Sequence, residues 1–243
     1  MAEVSSIHTL RIADQERKVR TQPLRAVRPR IASTIVLTCG DPKYPKILMG
    51  LRADRHDFVP SVYVFPGGGV DRADSYAPCL GNLSTRTKRI LEAAYSSQKA
   101  QAVVLAAIRE TREETGLMLG RVSDWKKNIR NDTWNEFRQA RVTPDLSGIE
   151  VFGRAVTPPG RHRRYDTWFF IKHLGADTLP VSDSVELLNV GWFDLEEIDS
   201  LKTHRATDVM LAVLRNYLEY DILPPRIFYF RARHGTFRQD RFP

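Results

Sequence analysis

The sequence predicts an α/β domain of the α+β type, with helices covering both faces of one mixed β-sheet. Apolar, β-branched segments of strand length outnumber the helical segments, and at least two of them look paired as hairpins. One strong helix signal lies in mid-chain and another near the end. A doubly wound sheet fits less well, because regular alternation of strands and helices is missing.

The first half of the chain contains three strand signals and two helix signals. The segment TQPLRAVRPR (21–30) has two prolines and no apolar period, which indicates an extended lead-in. The apolar segments predict strands, and the third ends at a proline followed by three glycines. These strands are 31–38, 46–52 and 61–65. The segments STRTKRILEAAYSS and QKAQAVVLAAIRETREETG then predict helices.

The second half adds a strand pair, a late strand and a long amphipathic helix. IEVFGRAV and DTWFFIKH predict paired strands across TPPGRHRRY, and LLNVGWFDL predicts another strand. Residues 205–220 predict a helix with one apolar face, formed by Val209, Met210, Val213, Leu214 and Tyr217. The tail PPRIFYFRARHGTFRQDRFP offers a further edge strand.

Composition narrows the class of protein. With 243 residues and 42% hydrophobic content, the chain can bury a sizeable core as one large domain or two small ones. We expect no membrane span, since no run of about 18 apolar residues occurs. The N-terminus lacks the apolar segment of a secretory signal, and two cysteines, Cys39 and Cys79, argue against a disulfide framework. We therefore expect a cytoplasmic protein.

The net charge of +8 is concentrated at the two ends of the chain. Residues 1–30 and 226–243 each carry an excess of four positive charges, so the middle is neutral. Basic ends can bind anionic partners, or they can be solvated tails. Because the excess is terminal, a nucleic-acid-binding surface over the whole protein is not expected. We predict a basic lead-in (1–30), one domain (31–222) and a basic tail (223–243).

The stretch RETREETGLML (109–119) collects carboxylates near the end of the mid-chain helix. Helical spacing puts Glu110, Glu113 and Glu114 on one face, and Arg109 lies within ion-pair reach of Glu113. Three converging carboxylates are hard oxygen ligands that suit Mg²⁺ or Mn²⁺. The alternative is a charged, solvated helix face. The sequence shows no zinc-ligand spacing, no G-x-S-x-G elbow and no Walker loop.

Together with the glycine loop VFPGGGVDRAD (64–74), this stretch resembles the signature of the Nudix hydrolases, G-x5-E-x7-R-E-U-x-E-E-x-G-U, where U is apolar. Gly68 fits the first glycine, and Thr111 stands in for the first apolar position of the second half. The direct matches in that half are Arg109, Glu110, Glu113, Glu114, Gly116 and Leu117. The resemblance implies a Nudix-like α/β/α sandwich with a mixed β-sheet.

The chain departs from the signature in two ways. Asp74 stands where the family has its first glutamate, and about 27 extra residues, roughly 75–101, separate it from Arg109. We expect this helical insertion to bulge from the loop without changing the glutamate spacing. A split signature of this kind resembles the coenzyme A diphosphatase-like subgroup.

The resemblance implies a Mg²⁺- or Mn²⁺-dependent hydrolase that cleaves a nucleoside diphosphate linked to another group, with coenzyme A or acyl-coenzyme A as first choice. It implies metal ligation by Glu110, Glu113, Glu114 and the Gly68 carbonyl, with Arg109 orienting a ligand carboxylate. Glu114 or Glu186 would serve as general base. Glu186 is alternatively a surface acid beside a strand.

Two groups of arginines are candidates for binding phosphate. Arg52 and Arg55 follow a strand that leads towards the site, and GRHRRY (160–165) holds Arg161, Arg163 and Arg164 in a turn. The alternatives are surface positions and a solubilising hairpin tip. Trp168, Phe169 and Phe170 are expected mainly to pack in the core.

Other functions stay open at this point. Within enzymes, the substrate can instead be ADP-ribose, NADH or a nucleotide sugar. A different class of function is that of a Nudix regulator that senses a nucleotide without catalysis. The intact set of three glutamates argues against this function. We expect a small-molecule nucleotide partner, no membrane and no nucleic acid, and homodimerisation is open.

Overall fold

The computed structural model describes residues 27–54, 60–220, 222–233 and 236–243. Its strands are β1 (Arg30–Cys39), β2 (Lys46–Arg52), β3 (Tyr63–Val64), β4 (Gly67–Gly69), β5 (Gly120–Val122), β6 (Val142–Pro144), β7 (Glu150–Val156), β8 (Tyr165–His173), β9 (Leu187–Phe193), β10 (Ile227–Arg233) and β11 (Thr236–Phe242). Its α-helices are α1 (Thr85–Glu92), α2 (Ser97–Thr115), α3 (Asp132–Gln139), α4 (Leu195–Ser200) and α5 (Arg205–Tyr220). A 3₁₀ helix covers Arg72–Tyr76.

One mixed sheet organises the described residues, as the sequence predicts. Its strand order is β11-β10-β7-β8-β1-β2-β3, with β4 also paired to β1 and β9 to β2. The β1–β8 and β7–β10 pairs are parallel, whereas the others are antiparallel. Strands β5 and β6 form a separate two-stranded ribbon.

Helices pack on both faces of this sheet, because side chains alternate between its faces. Trp168 and Phe170 of β8 join a core with α1, α2 and α3. Phe169, on the opposite face, joins a second core with α4 and α5. In α5, the predicted apolar face is buried or half-buried against that second core. The α/β fold class and the core placement of the three aromatics are therefore confirmed.

The insertion is part of the fold and does not bulge from it, which corrects the expectation from sequence. Ile90 and Leu91 of α1 are fully buried in the first core. The hydroxyl of Tyr95 accepts a hydrogen bond of 2.9 Å from the indole nitrogen of Trp168. Arg86 donates to the carbonyl oxygens of Val151 and Pro224. These contacts tie the insertion to β7, β8 and the segment before β10.

The C-terminal segment joins the sheet, as the predicted edge strand requires, so the described part of 223–243 is not a tail outside the domain. β10 pairs with β7, and β11 completes a hairpin with β10. The guanidinium of Arg154 (β7) lies within 5.0 Å of the ring centres of Trp168, Tyr229 and Phe242. It also forms two hydrogen bonds of 2.7–2.8 Å to Asp166. This stacked arginine attaches the hairpin to the sheet. Most of the lead-in (1–26) lies outside the described residues.

Three features were missed by sequence reasoning: α3, α4 and the β5–β6 ribbon. α3 carries a recognisable signal, since the Asn131 side chain accepts a hydrogen bond from the Trp134 backbone nitrogen and caps the helix.

None of the helices in the described part of the chain combines the length and apolarity needed to cross a bilayer.

Candidate active site

The glycine loop lies directly against the glutamate helix. β4 pairs with β1, with Gly68 opposite Ser33. A side chain at Gly67 would come within 2.4 Å of the Ser33 carbonyl oxygen, and one at Gly68 within 2.5 Å of the Glu110 carboxyl carbon. Gly67 therefore requires glycine because backbone atoms block a side chain there, whereas a side chain at Gly68 would displace the Glu110 carboxylate. The Gly67 backbone nitrogen donates to Glu114 Oε2 at 2.7 Å, so this loop holds one of the candidate ligands in place.

Arg109 connects the glycine loop to two of the glutamates. Its Nη1 donates to Glu110 Oε1 and to Glu113 Oε2, each at 2.8 Å. Its Nη2 donates to the Gly69 carbonyl oxygen at 2.7 Å. The side chain is buried, so these charge-assisted bonds are shielded from solvent. Arg109 thus holds one oxygen of each carboxylate, and its role in orienting metal ligands stays a prediction.

Asp74 is the buried counterion of Arg109. Its carboxylate is fully buried and accepts from Arg109 Nε at 2.8 Å and Nη2 at 3.2 Å. It also accepts from the Trp134 indole nitrogen and from the Asp71 backbone nitrogen. Asp74 points at Arg109 and has no contact with the glutamates among these bonds. Asp74 is one methylene shorter than the glutamate that the Nudix signature has at this position. It pairs with Arg109 and so supports that side chain.

Thr133 is a site residue that sequence reasoning missed. Its hydroxyl donates to Glu113 Oε1 at 2.6 Å, while Arg109 holds the other oxygen of the same carboxylate. Thr133 is the second residue of α3, so this helix fixes the orientation of Glu113 from outside the signature. The contact spans 20 residues of chain, which no local spacing rule covers.

Burial disfavours the charged form of two of the three glutamates and so raises their pKa. Burial, opposed by Arg109 and reinforced by Glu113, raises the pKa of Glu110 to about 7. Burial and the charge of Glu110 raise the pKa of Glu114 well above its ordinary value of 4.5. Two nearby carboxylates that are costly to ionise together form a place where a cation would be stabilised.

The donor set fits a hard divalent cation, but the convergence of three carboxylates expected from helical spacing is not observed and is corrected here. Within the described residues, no three acidic, histidine or cysteine side chains are grouped so that they could hold one ion. The reason is that Glu110 and Glu113 turn to Arg109, and Glu114 turns to Gly67. Buried, mutually repelling carboxylate oxygens beside a glycine backbone nevertheless match the ligands that Mg²⁺ and Mn²⁺ prefer.

Glu186 and Arg52 lie at the edge of this cluster. Glu186 is exposed on the loop before β9, and its charge raises the pKa of both Glu110 and Glu114. Arg52 ends β2; burial lowers the pKa of its guanidinium, and the nearby Glu114 and Glu186 carboxylates oppose that effect. The fold therefore brings both residues close to Glu114. Their roles in binding and proton transfer stay predictions.

The remaining candidate arginines have different surroundings. Arg161 is exposed, and with Arg52 it lowers the pKa of His204 beyond the effect of burial, which places it near that side of the site. Arg163 is exposed in the same loop. Arg164 donates to the backbone carbonyl oxygens of Thr157 and Val27, so its guanidinium braces the hairpin. Arg55 lies outside the described residues.

A cleft of about 520 Å³ opens beside Glu110. Gly69, Asp71 and Arg109 line it near the glutamates, and Arg30, Lys99 and Tyr165 also line it. Sequence reasoning identified none of these last three as site residues. Arg30 and Tyr165 are opposite each other in the β1–β8 pair, and Lys99 lies in the first turn of α2. Their contribution depends on tertiary packing, since 66 residues separate Lys99 from Tyr165.

Comparisons with known proteins agree with this geometry. No protein-family profile matches the chain. The structure resembles a Nudix hydrolase from Alicyclobacillus acidocaldarius with a TM-score of 0.59 and 25% identity, covering 82% of this chain and 99% of that one. The acyl-coenzyme A diphosphatase NUDT19 of Xenopus laevis is 22% identical over 66% of this chain and 56% of its own length. A protein described as putative nudix hydrolase 7 of Caenorhabditis elegans is 26% identical over 69% of this chain and 52% of its own.

The chain thus spans about half the length of the curated relatives it matches. Three observations support this similarity. They are the shared fold, the packing of the glycine loop on the glutamate helix, and the arginine bonded to the carboxylates. The chain is similar to Nudix hydrolases in its fold and in its sequence.

Proposed function

We propose that the chain is a divalent-cation-dependent diphosphatase that hydrolyses a nucleoside diphosphate linked to another group, with coenzyme A or acyl-coenzyme A as its substrate. The observation that carries this proposal is a pair of carboxylates beside the glycine loop, the buried Glu114 and the largely buried Glu110. The similarity to an acyl-coenzyme A diphosphatase supports the choice of substrate.

The glutamates and the Gly68 carbonyl would hold the cation. When bound, that cation neutralises diphosphate oxygens and makes a water molecule a better nucleophile. Arg109 holds one oxygen of the Glu110 carboxylate and one of the Glu113 carboxylate, and Thr133 limits the rotation of Glu113. This orientation matters because hydrolysis of a diphosphate depends mainly on positioning and charge neutralisation.

Arg52 and Glu186 would act on the substrate side of the glutamates. Arg52 is a half-buried cation next to Glu114, where it can bind a diphosphate oxygen. A general base must accept the proton of the attacking water, and Glu114 and Glu186 are the two candidates in this cluster. Arg161 and Arg163 would approach from the loop between β7 and β8.

A substrate panel tests the proposed function. With Mg²⁺, purified protein should cleave coenzyme A and acyl-coenzyme A faster than ADP-ribose, NADH or a nucleotide sugar, as followed by chromatography of the products. Coenzyme A should give adenosine 3′,5′-bisphosphate and 4′-phosphopantetheine. Faster cleavage of ADP-ribose would remove the coenzyme A assignment. Tight nucleotide binding without any hydrolysis would favour a sensing role.

A further inference from the structure

The cleft beside Glu110 is lined by both acidic and basic side chains. Glu110, Arg30 and Lys99 all belong to its lining. Among the described residues, neither Arg30 nor Lys99 has a carboxylate partner within ion-pair distance. Asp71 is the other acid of the lining, and one of its oxygens accepts from the Ala73 backbone nitrogen. The two cations are therefore available to an anionic ligand.

A ligand must be long to contact both Lys99 and Glu110. The two residues are eleven positions apart in one helix, so their α-carbons are about 16 Å apart along α2. A diphosphate held at the glutamates is too short to span this separation. A ligand group that contacts Lys99 must therefore belong to the part of the substrate beyond the diphosphate.

The insertion contributes Lys99 to the lining of this cleft. Lys99 belongs to the inserted segment, and the buried residues of α1 fix that segment on the sheet. Ala94 and Tyr95 of the insertion line a smaller adjoining recess of about 310 Å³, which shares Ile31 with the main cleft. Arg30 lies at the start of β1, and its backbone nitrogen donates to the Arg164 carbonyl oxygen at 2.8 Å. The backbone of both Lys99 and Arg30 is therefore held by regular secondary structure.

We propose that Arg30 and Lys99 form a subsite for a phosphate group carried on the nucleoside part of the substrate, and that the insertion places Lys99 in it. The proposal rests on the proposed diphosphatase function and adds to it a specificity determinant. It assigns the additional phosphate of coenzyme A, on the 3′-hydroxyl, to these two side chains. The loop holding Arg161 and Arg163 then serves another part of the substrate.

Calorimetry with two nucleotide probes tests the subsite without requiring catalysis. Adenosine 3′,5′-bisphosphate carries the additional phosphate, and 5′-AMP lacks it. Wild-type protein should bind the bisphosphate more tightly than 5′-AMP. Lys99→Gln and Arg30→Gln should each weaken bisphosphate binding about tenfold, the loss of one charge-assisted hydrogen bond, and leave 5′-AMP binding unchanged. Lys88→Gln, the same change on the exposed face of α1, should alter neither.

A kinetic comparison supplies the second readout. Lys99→Gln should raise KM for coenzyme A but not for dephospho-coenzyme A, with kcat unchanged for both. The subsite is refuted if wild-type protein shows no preference for the bisphosphate, if Lys99→Gln weakens both probes equally, or if Arg163→Gln removes the preference instead. If no diphosphate is hydrolysed, the proposed function fails, while the calorimetric comparison still decides the subsite.

Discussion

Glu114→Gln is expected to lower kcat/KM for the diphosphate substrate about a thousandfold, which is about 4 kcal/mol of transition-state stabilisation. Gln keeps the shape of the side chain and can still accept the hydrogen bond from the Gly67 backbone nitrogen. What it removes is a charged oxygen ligand for the cation. Steady-state assays with coenzyme A under saturating Mg²⁺ measure the effect. Glu136→Gln, at a surface carboxylate that pairs with Arg112, is the matched control and should retain activity.

Stability in the absence of cations separates lost catalysis from lost structure in this variant. A carboxyl whose folded-state pKa is raised costs stability as pH rises above the unfolded value, and Glu114 has such a pKa because burial and Glu110 disfavour its charge. Gln has no such loss. With EDTA, Tm of Glu114→Gln relative to wild type should therefore increase between pH 4.5 and pH 8. A variant that is less stable at pH 8 would show that the carboxylate supports the fold.

Arg109→Met is expected to destabilise the protein by about 3–5 kcal/mol and to abolish activity. The change removes the cation that neutralises the fully buried Asp74, leaving a buried charge without its partner. It also releases Glu110, Glu113 and the Gly69 carbonyl oxygen together. Urea denaturation measures the loss. Arg112→Met, at a half-exposed arginine of the same helix, should cost only about 1 kcal/mol.

A double-mutant cycle with Asp74→Asn shows whether the ion pair is the cause. Because this substitution replaces the buried carboxylate with a neutral amide, adding Asp74→Asn to Arg109→Met should recover part of the lost stability. The two single changes should therefore be strongly non-additive. Additive losses would mean that Arg109 stabilises the fold mainly by packing, and its assignment as the organiser of the site would be wrong.

Local spacing predicted the ion pair and the end of the helix that carries the glutamates. The i,i+4 relation between Arg109 and Glu113 appears as an ion pair of 2.8 Å, and Gly116 ends α2 in the left-handed conformation. The apolar face of α2 is also as predicted, with Val104 and Ile108 fully buried. These features depend on helical periodicity and capping, which act over a few residues.

The missed features depend on contacts between distant parts of the chain. Trp134 reaches Asp74 across 60 residues, and Thr133 reaches Glu113 across 20. The insertion was misjudged because a short amphipathic helix has the same pattern whether its apolar face covers a core or binds a partner. Only the packing of Ile90 and Leu91 against the sheet distinguishes the two. Likewise, local sequence patterns do not predict that Arg154 stacks on aromatic rings and attaches the C-terminal hairpin to the sheet.

Titration of Mn²⁺ into wild-type protein and Glu114→Gln, followed by calorimetry, tests most directly whether the glutamate helix holds a divalent cation. We predict that wild-type protein binds Mn²⁺ and gains thermal stability from it, since a ligand that binds the folded state stabilises that state. Glu114→Gln should bind at least about tenfold more weakly, while Glu136→Gln matches wild type. Equal Mn²⁺ affinity in wild-type protein and Glu114→Gln would contradict the assignment of this cluster as the metal site.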